Sequence, residues 1–500
     1  MEKLLLQDSM QGQKHYQEKL FTSFQLSDRV PTDNFYRRLK EVLDLQWLYK
    51  ATAGYYGTEG QSSIDPVVFF KLIIIGYLEN QPGDRRIINT VSLRLDMLYF
   101  IGYDLDEPLP WHSTLSRTRQ LYGGEVFREL FCKVLKQCIE KGMVAGRRQA
   151  IDSALIKANA SMDSVVEKEI LADAEVYTRN LKEEDEDNSS GGSTGGGRVR
   201  RNETHYSKTD PDAKLATKPG KPTQLNYLAQ VSVDTASHVI TNMEAHSADK
   251  RDSECLAEVA ANTLSNLQPE GLIVEELLAD TNYSSGAALE YLEDKNITGY
   301  IPNLGQYKPA RKGFTYDKKN DQYICTKGTK IVFKKIAYST DGHYNKIYSS
   351  SQKDCRHCEL RSQCIGKSRY KNIYETTAKP FYDRMHQRMQ TLKAKRMQKL
   401  RQTTVEPVLG TLINFLGMKR MNTRGLKQAG KCMIMAAIAY NLKKLLKFQP
   451  PKAAARVQKI PLLQSLSQKV PLFILGAPTG VMALNRYQTV LCYVQPARHF

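Results

Sequence analysis

No apolar run in the 500 residues is long enough to cross a membrane. The longest, VVFFKLIIIGYL at 67–78, is interrupted by Lys71 and falls short of the ~20 residues a span requires. The opening MEKLLLQDSMQGQKHY lacks the ~7–15-residue apolar centre of a secretory signal, so the expectation is a cytoplasmic protein without a membrane partner. Internal repeats are absent too, which sets aside a solenoid or other array. Acid is in deficit: 53 Asp and Glu stand against 72 Lys and Arg, a net charge of +19 and a pI near 9.3. That balance argues against a cationic partner and suits a polyanion such as nucleic acid. Cysteine is sparse at nine, and a reducing cytosol disfavours a disulfide framework. Five of the nine (Cys132, Cys138, Cys255, Cys432, Cys492) stand among apolar neighbours and read as small buried hydrophobes.

What is present suffices for several cores, since 41% of the residues are hydrophobic and domains usually take ~100–200 residues each. Residues 1–148 carry helical patterns. In SSIDPVVFFKLIIIGYLENQPG, Asp65 is placed to cap, Pro66 to occupy the first helical position and Pro82-Gly83 to stop the helix. Further helices are expected from Asp84 to Leu98 and from Ser113 or Thr114. With Arg85, Arg86, Arg94, Arg117 and Arg119 among them, this segment reads as a helix-turn-helix-like DNA-binding domain, although plain helical packing explains the same pattern.

Strand texture begins after Arg147. RRQAIDSALIKANAS reads as a strand or hairpin, and 181–224, with its Gly/Ser centre, as a flexible linker or loop. LNYLAQVSVDTASHVITNMEAHSAD supplies two strands and SECLAEVAANTLSNLQ a helix. In GLIVEELLAD a buried strand runs from Leu272 and stops at Asp280, a helix opens at Ser284 or Ser285, and ITGYIPN is a further strand. The succession describes a mixed α/β sheet over 149–303. A polar, cysteine-bearing insertion follows over 304–374, helix returns over 375–447, and 448–500 has no assignable pattern.

Two carboxylates sit at strand positions of this region, Asp152 in AIDSALI and Asp280 in LLADTNY. In open α/β sheets functional groups cluster at strand ends, where side chains leave the core and face a cleft. A third, Glu406, lies in RQTTVEPVLGTLINFLGMKR beside an apolar stripe of Val405, Leu409, Leu412 and Leu416, with the small Gly410 one turn on. Singly, each acid is explained as a loop-end Asp or a flanking helix Glu. Together they match what two-metal phosphoryl chemistry needs, because hard divalent ions take oxygen ligands and sit ~3.5–4 Å apart.

In order, AIDSALIKANAS, SKTDPDAKL, ADTNYSSG, the cysteine block, TTVEPVLGTL and MNTRGLKQAGKCMIMAAIAYNLKKLL resemble the DDE transposases of bacterial insertion sequences. Within these the chain is similar to the IS-four/IS-five-like group and, inside it, to the eleven-eighty-two family, over roughly 30–447. The resemblance implies a ribonuclease-H-like catalytic core and Asp152, Asp280 and Glu406 as the triad that binds Mg²⁺ or Mn²⁺. It further implies binding to the element's terminal inverted repeats and to target DNA, and a homodimer in the synaptic complex, at the bacterial nucleoid. Relatives often carry a Tyr and an Arg before the catalytic Glu and a Lys seven residues after it. Here Arg401 is present, but Gln398 stands in the Tyr position and Ile413 in the Lys position, so the chain departs from that pattern at both.

Four cysteines remain: Cys325, then Cys355, Cys358 and Cys364 in DCRHCELRSQC. This short spacing suits structural tetrahedral zinc, with the fourth ligand on the strand holding QYICTKG and His343 and His357 as spare ligands; the alternative is four unligated thiols. Around them, HYNKIYSS and KSRYKNIY combine bases and tyrosines in a way that fits contact with DNA. From Arg384 to Arg401 the chain holds seven Lys or Arg and no acid. Next to Glu406 such charge would offset carboxylate repulsion of DNA, and Arg396, Lys399, Arg401, Lys419, Arg420 and Arg424 are expected to contact phosphates. Two rival readings stand beside a transposase: a ribonuclease-H-like nuclease without strand transfer, and a zinc-bearing DNA-binding regulator.

Overall fold

The structure is a computed structural model that describes residues 17–18, 23–57, 59, 63–168, 197–217, 220, 222–305, 307–339 and 344–449. The tail beyond 449, Cys492, His343 and 181–196 of the expected linker lie outside the described residues.

Helices dominate up to residue 140. Asp65 Oδ1 accepts from the amides of Val67 (2.6 Å) and Val68 (3.1 Å) and opens helix Pro66–Leu78, which is buried almost all round. A helix apolar on every side belongs at the centre of its neighbours, and this one packs among the surrounding helices. The helix expected from Asp84 to Leu98 is two, Asp84–Ser92 and Leu95–Ile101. Arg94 adopts an extended backbone between them, and its guanidinium grips Asp96 through two hydrogen bonds of 2.9 and 2.7 Å. Helical spacing continues through the break, so periodicity alone does not reveal it. Helices His112–Leu121 and Gly124–Glu140 complete the layer.

The central sheet is built on β1 (Arg148–Lys157). Before its next long strand come β2 (Val165–Glu167), β3 (His205–Ser207) and β4 (Lys214–Ala216). Then follow β5 (Gln224–Asp234), β6 (Ile240–Ser247), β7 (Glu276–Leu278) and β8 (Thr298–Tyr300). β1 is antiparallel to β5 and parallel to β7, and β8 is parallel to β7; β4 and β6 share the far edge of β5. Parallel neighbours require long crossovers, supplied here by helices Asp252–Leu267 and Gly286–Asp294, the latter capped by Ser285 as expected. Register assigns the faces. Asp152 is opposite Val231, itself opposite Met243, on the face covered by helices Leu392–Phe415 and Leu426–Lys447. Ser153, Gln230 and Glu244 point the other way, toward helix Asp252–Leu267.

Two stretches differ from expectation. The run from Leu272 yields only the three-residue β7, because Gly271 at φ +73° ends the preceding turn, Leu272 packs on Gly146 and Ile273 is exposed. The stretch read as linker is structured from 197 to 216, with helix Gly197–Thr204, β3 and β4. Its anchor is Asp210, fully buried, which accepts from Tyr227 Oη at 2.7 and 2.8 Å and from the Gly425 amide at 3.0 Å.

Residues 304–374 form a second, antiparallel sheet: β9 (Phe314–Asp317), β10 (Gln322–Cys325), β11 (Lys330–Tyr338), β12 (Tyr344–Ser350) and β13 (Asn372–Thr376). Among the described residues its own hydrophobic core is Tyr323, Ile331, Tyr348 and Ile373, with Phe314 and Cys325 packed against it. By contrast, the N-terminal helices, central sheet and C-terminal helices share one continuous core running from Tyr36 to Leu446. Within it the buried ammonium of Lys431 donates to the carbonyls of Arg119 (2.9 Å) and Tyr122 (2.6 Å), tying helix Leu426–Lys447 to the N-terminal layer. Residues 1–148 therefore do not close a core of their own. Among the described residues, no helix is long and apolar enough to cross a membrane.

Candidate active site

Asp152 sits mid-strand in β1, where Ser153 N donates to its Oδ1 at 2.8 Å. Parallel pairing sets Ala150 against Leu278; two residues on come Asp152, still within β1, and Asp280, just past the end of β7. Asp280 Oδ1 also accepts from Thr281 N at 2.5 Å, opening the short 3₁₀ turn Thr281–Tyr283. Burial pushes the Asp152 carboxyl up, Arg401 pulls it down and the charge of Asp280 adds to the rise, leaving it above its ordinary value.

Glu406 is carried over this face by helix Leu392–Phe415, whose Val405, Val408, Leu409 and Leu412 are buried against the core. Pro407 stands inside that helix, and a side chain at Gly410 would meet nothing within 4 Å. Glu406 itself is exposed. Among the described residues the carboxylates of Asp152, Asp280 and Glu406 do not converge to within 4.8 Å of one another. Between helix and sheet stands Arg401, whose Nη1 donates to Asp152 Oδ2 at 3.0 Å, with side chains 12% and 19% exposed. Sequence spacing places Arg401 near Glu406 but not on Asp152, 249 residues away in the chain. Arg396, Lys399, Lys419, Arg420 and Arg424 are all exposed, and Arg420 Nη2 reaches Asn159 Oδ1 at 3.3 Å.

All four clustered cysteines line one small cavity of about 30 Å³ in the second sheet, together with Phe314, Ile331 and Lys371. None is in a disulfide. Burial pushes the Cys325 thiol up, but hydrogen bonds from Thr329 and nearby backbone amides outweigh it and hold the thiol below its ordinary value. Thiols are a donor type that zinc takes, but no three of these four sulfurs lie within 4.8 Å of one another. His357 is exposed and outside the cavity lining.

The family described as "Transposase domain (DUF772)" matches residues 24–121, the first helical layer. That described as "Transposase DDE domain" matches 324–446, from β10 through Glu406 to helix Leu426–Lys447. A comparison with curated proteins finds no match. Among solved structures, the chain is similar to a piggyBac transposase synaptic complex with hairpin DNA at 9% identity and TM-score 0.29, over 89% of this chain and 86% of that one. It is also similar to a Mos1 transposase paired-end complex with the left transposon end at 12% identity and TM-score 0.17, over 55% and 73%. At these TM-scores neither likeness carries an argument.

Proposed function

We propose that this chain, a DDE-type DNA transposase by the two families it matches, binds the terminal inverted repeats of its own insertion element, cuts the phosphodiester there and joins the freed 3′ hydroxyl to target DNA. The observation that carries this reading is the placement of Asp152 on β1 and of Asp280 just past the end of the adjacent parallel strand β7, with the helix that bears Glu406 packed on β1. Three antiparallel strands followed by two parallel ones, with β1 in the middle, support a ribonuclease-H-like core.

The donors are carboxylate oxygens throughout, which suits Mg²⁺ or Mn²⁺. A buried acid that already draws a guanidinium to balance its charge also fits a cation site. Asp152, Asp280 and Glu406 would hold the metal, which when bound activates the attacking oxygen and stabilises the leaving one. The rest falls to the protein. Arg396, Lys399, Lys419, Arg420 and Arg424 hold backbone phosphates around the acids, and the exposed Tyr338, Tyr344 and Tyr374 of the second sheet offer surfaces on which bases stack. A homodimer brings two element ends together, at the nucleoid of a bacterial cytoplasm. Purified full-length protein, given Mg²⁺, an end-bearing donor and a circular target, should yield covalently joined donor–target products. Cleavage without joining would leave a nuclease, and end binding without cleavage a regulator.

Arg401 has a double role in this reading: it neutralises Asp152 in the free protein and moves to a DNA phosphate when an end docks. Guanidinium and divalent ion compete for the same carboxylate oxygen. Arg401→Gln protein without DNA should therefore bind Mn²⁺ about tenfold more tightly, since a charge-assisted hydrogen bond contributes ~1.5–3 kcal/mol. A Mn²⁺ titration followed by electron paramagnetic resonance measures this; unchanged affinity would remove the competition.

A further inference from the structure

A second cluster of ligand-type side chains lies on the face of the central sheet opposite to Asp152. Glu244 and His246 alternate with Asn242 on that side of β6, and Glu258 stands above them on helix Asp252–Leu267. Glu244 Oε2 is 3.0 Å from His246 Nε2, and Glu258 Oε2 is 3.9 Å from His246 Nδ1. One donor atom from each of the three lies within 4.8 Å of the others, and among the described residues no other three His, Cys, Asp or Glu do this. Glu244 and His246 are only 7% and 5% exposed.

The surroundings orient the carboxylate. Asn242 Nδ2 and Asn262 Nδ2 both donate to Glu244 Oε1, at 2.5 and 2.6 Å, which leaves Oε2 turned to the imidazole. Outer partners of this kind fix a ligating carboxylate before a metal arrives. The buried Cys255 thiol lies against the same ring. Glu258, with a side chain 59% exposed, is free to swing inward. The cluster opens onto a cavity of about 800 Å³ that borders edge strand β6 and is walled by helices Gly124–Glu140 and Leu426–Lys447.

We propose that Glu244, His246 and Glu258 bind a zinc ion at a site separate from the catalytic acids, with open coordination positions facing this cavity. One imidazole nitrogen and two carboxylates form a donor set zinc accepts, and three protein ligands beside a cavity leave room for an exchangeable ligand. The 3.0 Å between Glu244 and His246 is the spacing of two ligand atoms each about 2 Å from a common ion. Such an ion clamps the edge strand to the crossover helix leading toward Asp280. The cluster stands independently of the reaction proposed above.

Crystals of the full chain equilibrated with micromolar Zn²⁺, measured above the zinc absorption edge, should show an anomalous peak about 2 Å from Glu244 Oε2 and His246 Nε2. Equilibrium dialysis against micromolar zinc should find one zinc fewer per chain in His246→Gln than in the wild type. Glu258→Gln, a surface change that leaves the core untouched, should weaken that ion at least tenfold and so tests the site even if His246→Gln misfolds. Absence of the peak, its appearance only at millimolar zinc, or equal affinity in Glu258→Gln and wild type would each overturn the proposal. In that event the imidazole is simply paired with Glu244.

Discussion

Asp280→Asn protein should bind element ends as the wild type does and yet cut them about 10³-fold more slowly or not at all. The expectation follows from two things the carboxylate does at once. As the opening residue of turn Thr281–Tyr283 it accepts from the Thr281 amide, and Asn caps nearly as well as Asp, so the fold persists. As the neighbour of Asp152 it supplies negative charge for a hard divalent ion, which an amide cannot. A purely structural Asp280 would let activity survive. Asp152→Asn and Glu406→Gln should match the loss, and pairing any two substitutions should cost little more than one, because groups that act as a unit are strongly non-additive. Cleavage of a labelled end in Mg²⁺ or Mn²⁺ measures all of these. Any single variant that keeps a tenth or more of the wild-type rate takes its residue out of the set.

Replacing Cys355 and Cys358 by Ser should remove one zinc per chain and open the second sheet to protease while the central core stays folded. Among the described residues, the sheet's buried hydrophobic cluster is Tyr323, Ile331, Tyr348 and Ile373, with Phe314 and Cys325 packed beside them. So small a core rarely holds a fold without a staple. Structural zinc contributes folding free energy directly, of the order of 10 kcal/mol in small domains, so its loss should be felt throughout the sheet. Metal analysis of protein purified without added zinc, with limited proteolysis, decides the matter. A metal-free protein whose second sheet resists protease as well as before would sink the idea.

Local chemistry made much of the architecture legible. Asp65 and Pro66 announced the central N-terminal helix, LNYLAQVSVD a strand, and Ser284 or Ser285 a helix start, because such signals act over a few residues. Asp152 and Asp280 stood out for the same reason, each at a change from apolar strand to polar side chain. Interactions that cross the chain did not show. The pairing of Arg401 with Asp152 depends on a helix laid over a strand from another part of the sequence, so Arg401 read only as one more phosphate contact. Apart from the strand at QYICTKG the second sheet went unread, because lysines interrupt the alternation of β11, most of whose residues stay exposed on both faces. Glu244 and His246 did leave a signal, an acid and an imidazole two apart on a strand in NMEAHS, but Glu258 joins them only through the fold.

The way the second sheet is attached has a consequence for divergence and for engineering. Its polypeptide departs after β8 and returns at helix Lys379–Met389, and Asn303 Nδ2 on the outgoing side donates to the Tyr382 carbonyl on the incoming side at 3.0 Å. Tyr307 Oη binds Asp383 at 2.5 Å just beyond. Entry and exit are thus pinned together at a narrow neck, and no strand of the central sheet passes through it. The excursion is attached as a cassette: a change in its length stays within the second sheet and leaves the strand register of the scaffold holding Asp152 and Asp280 as it is.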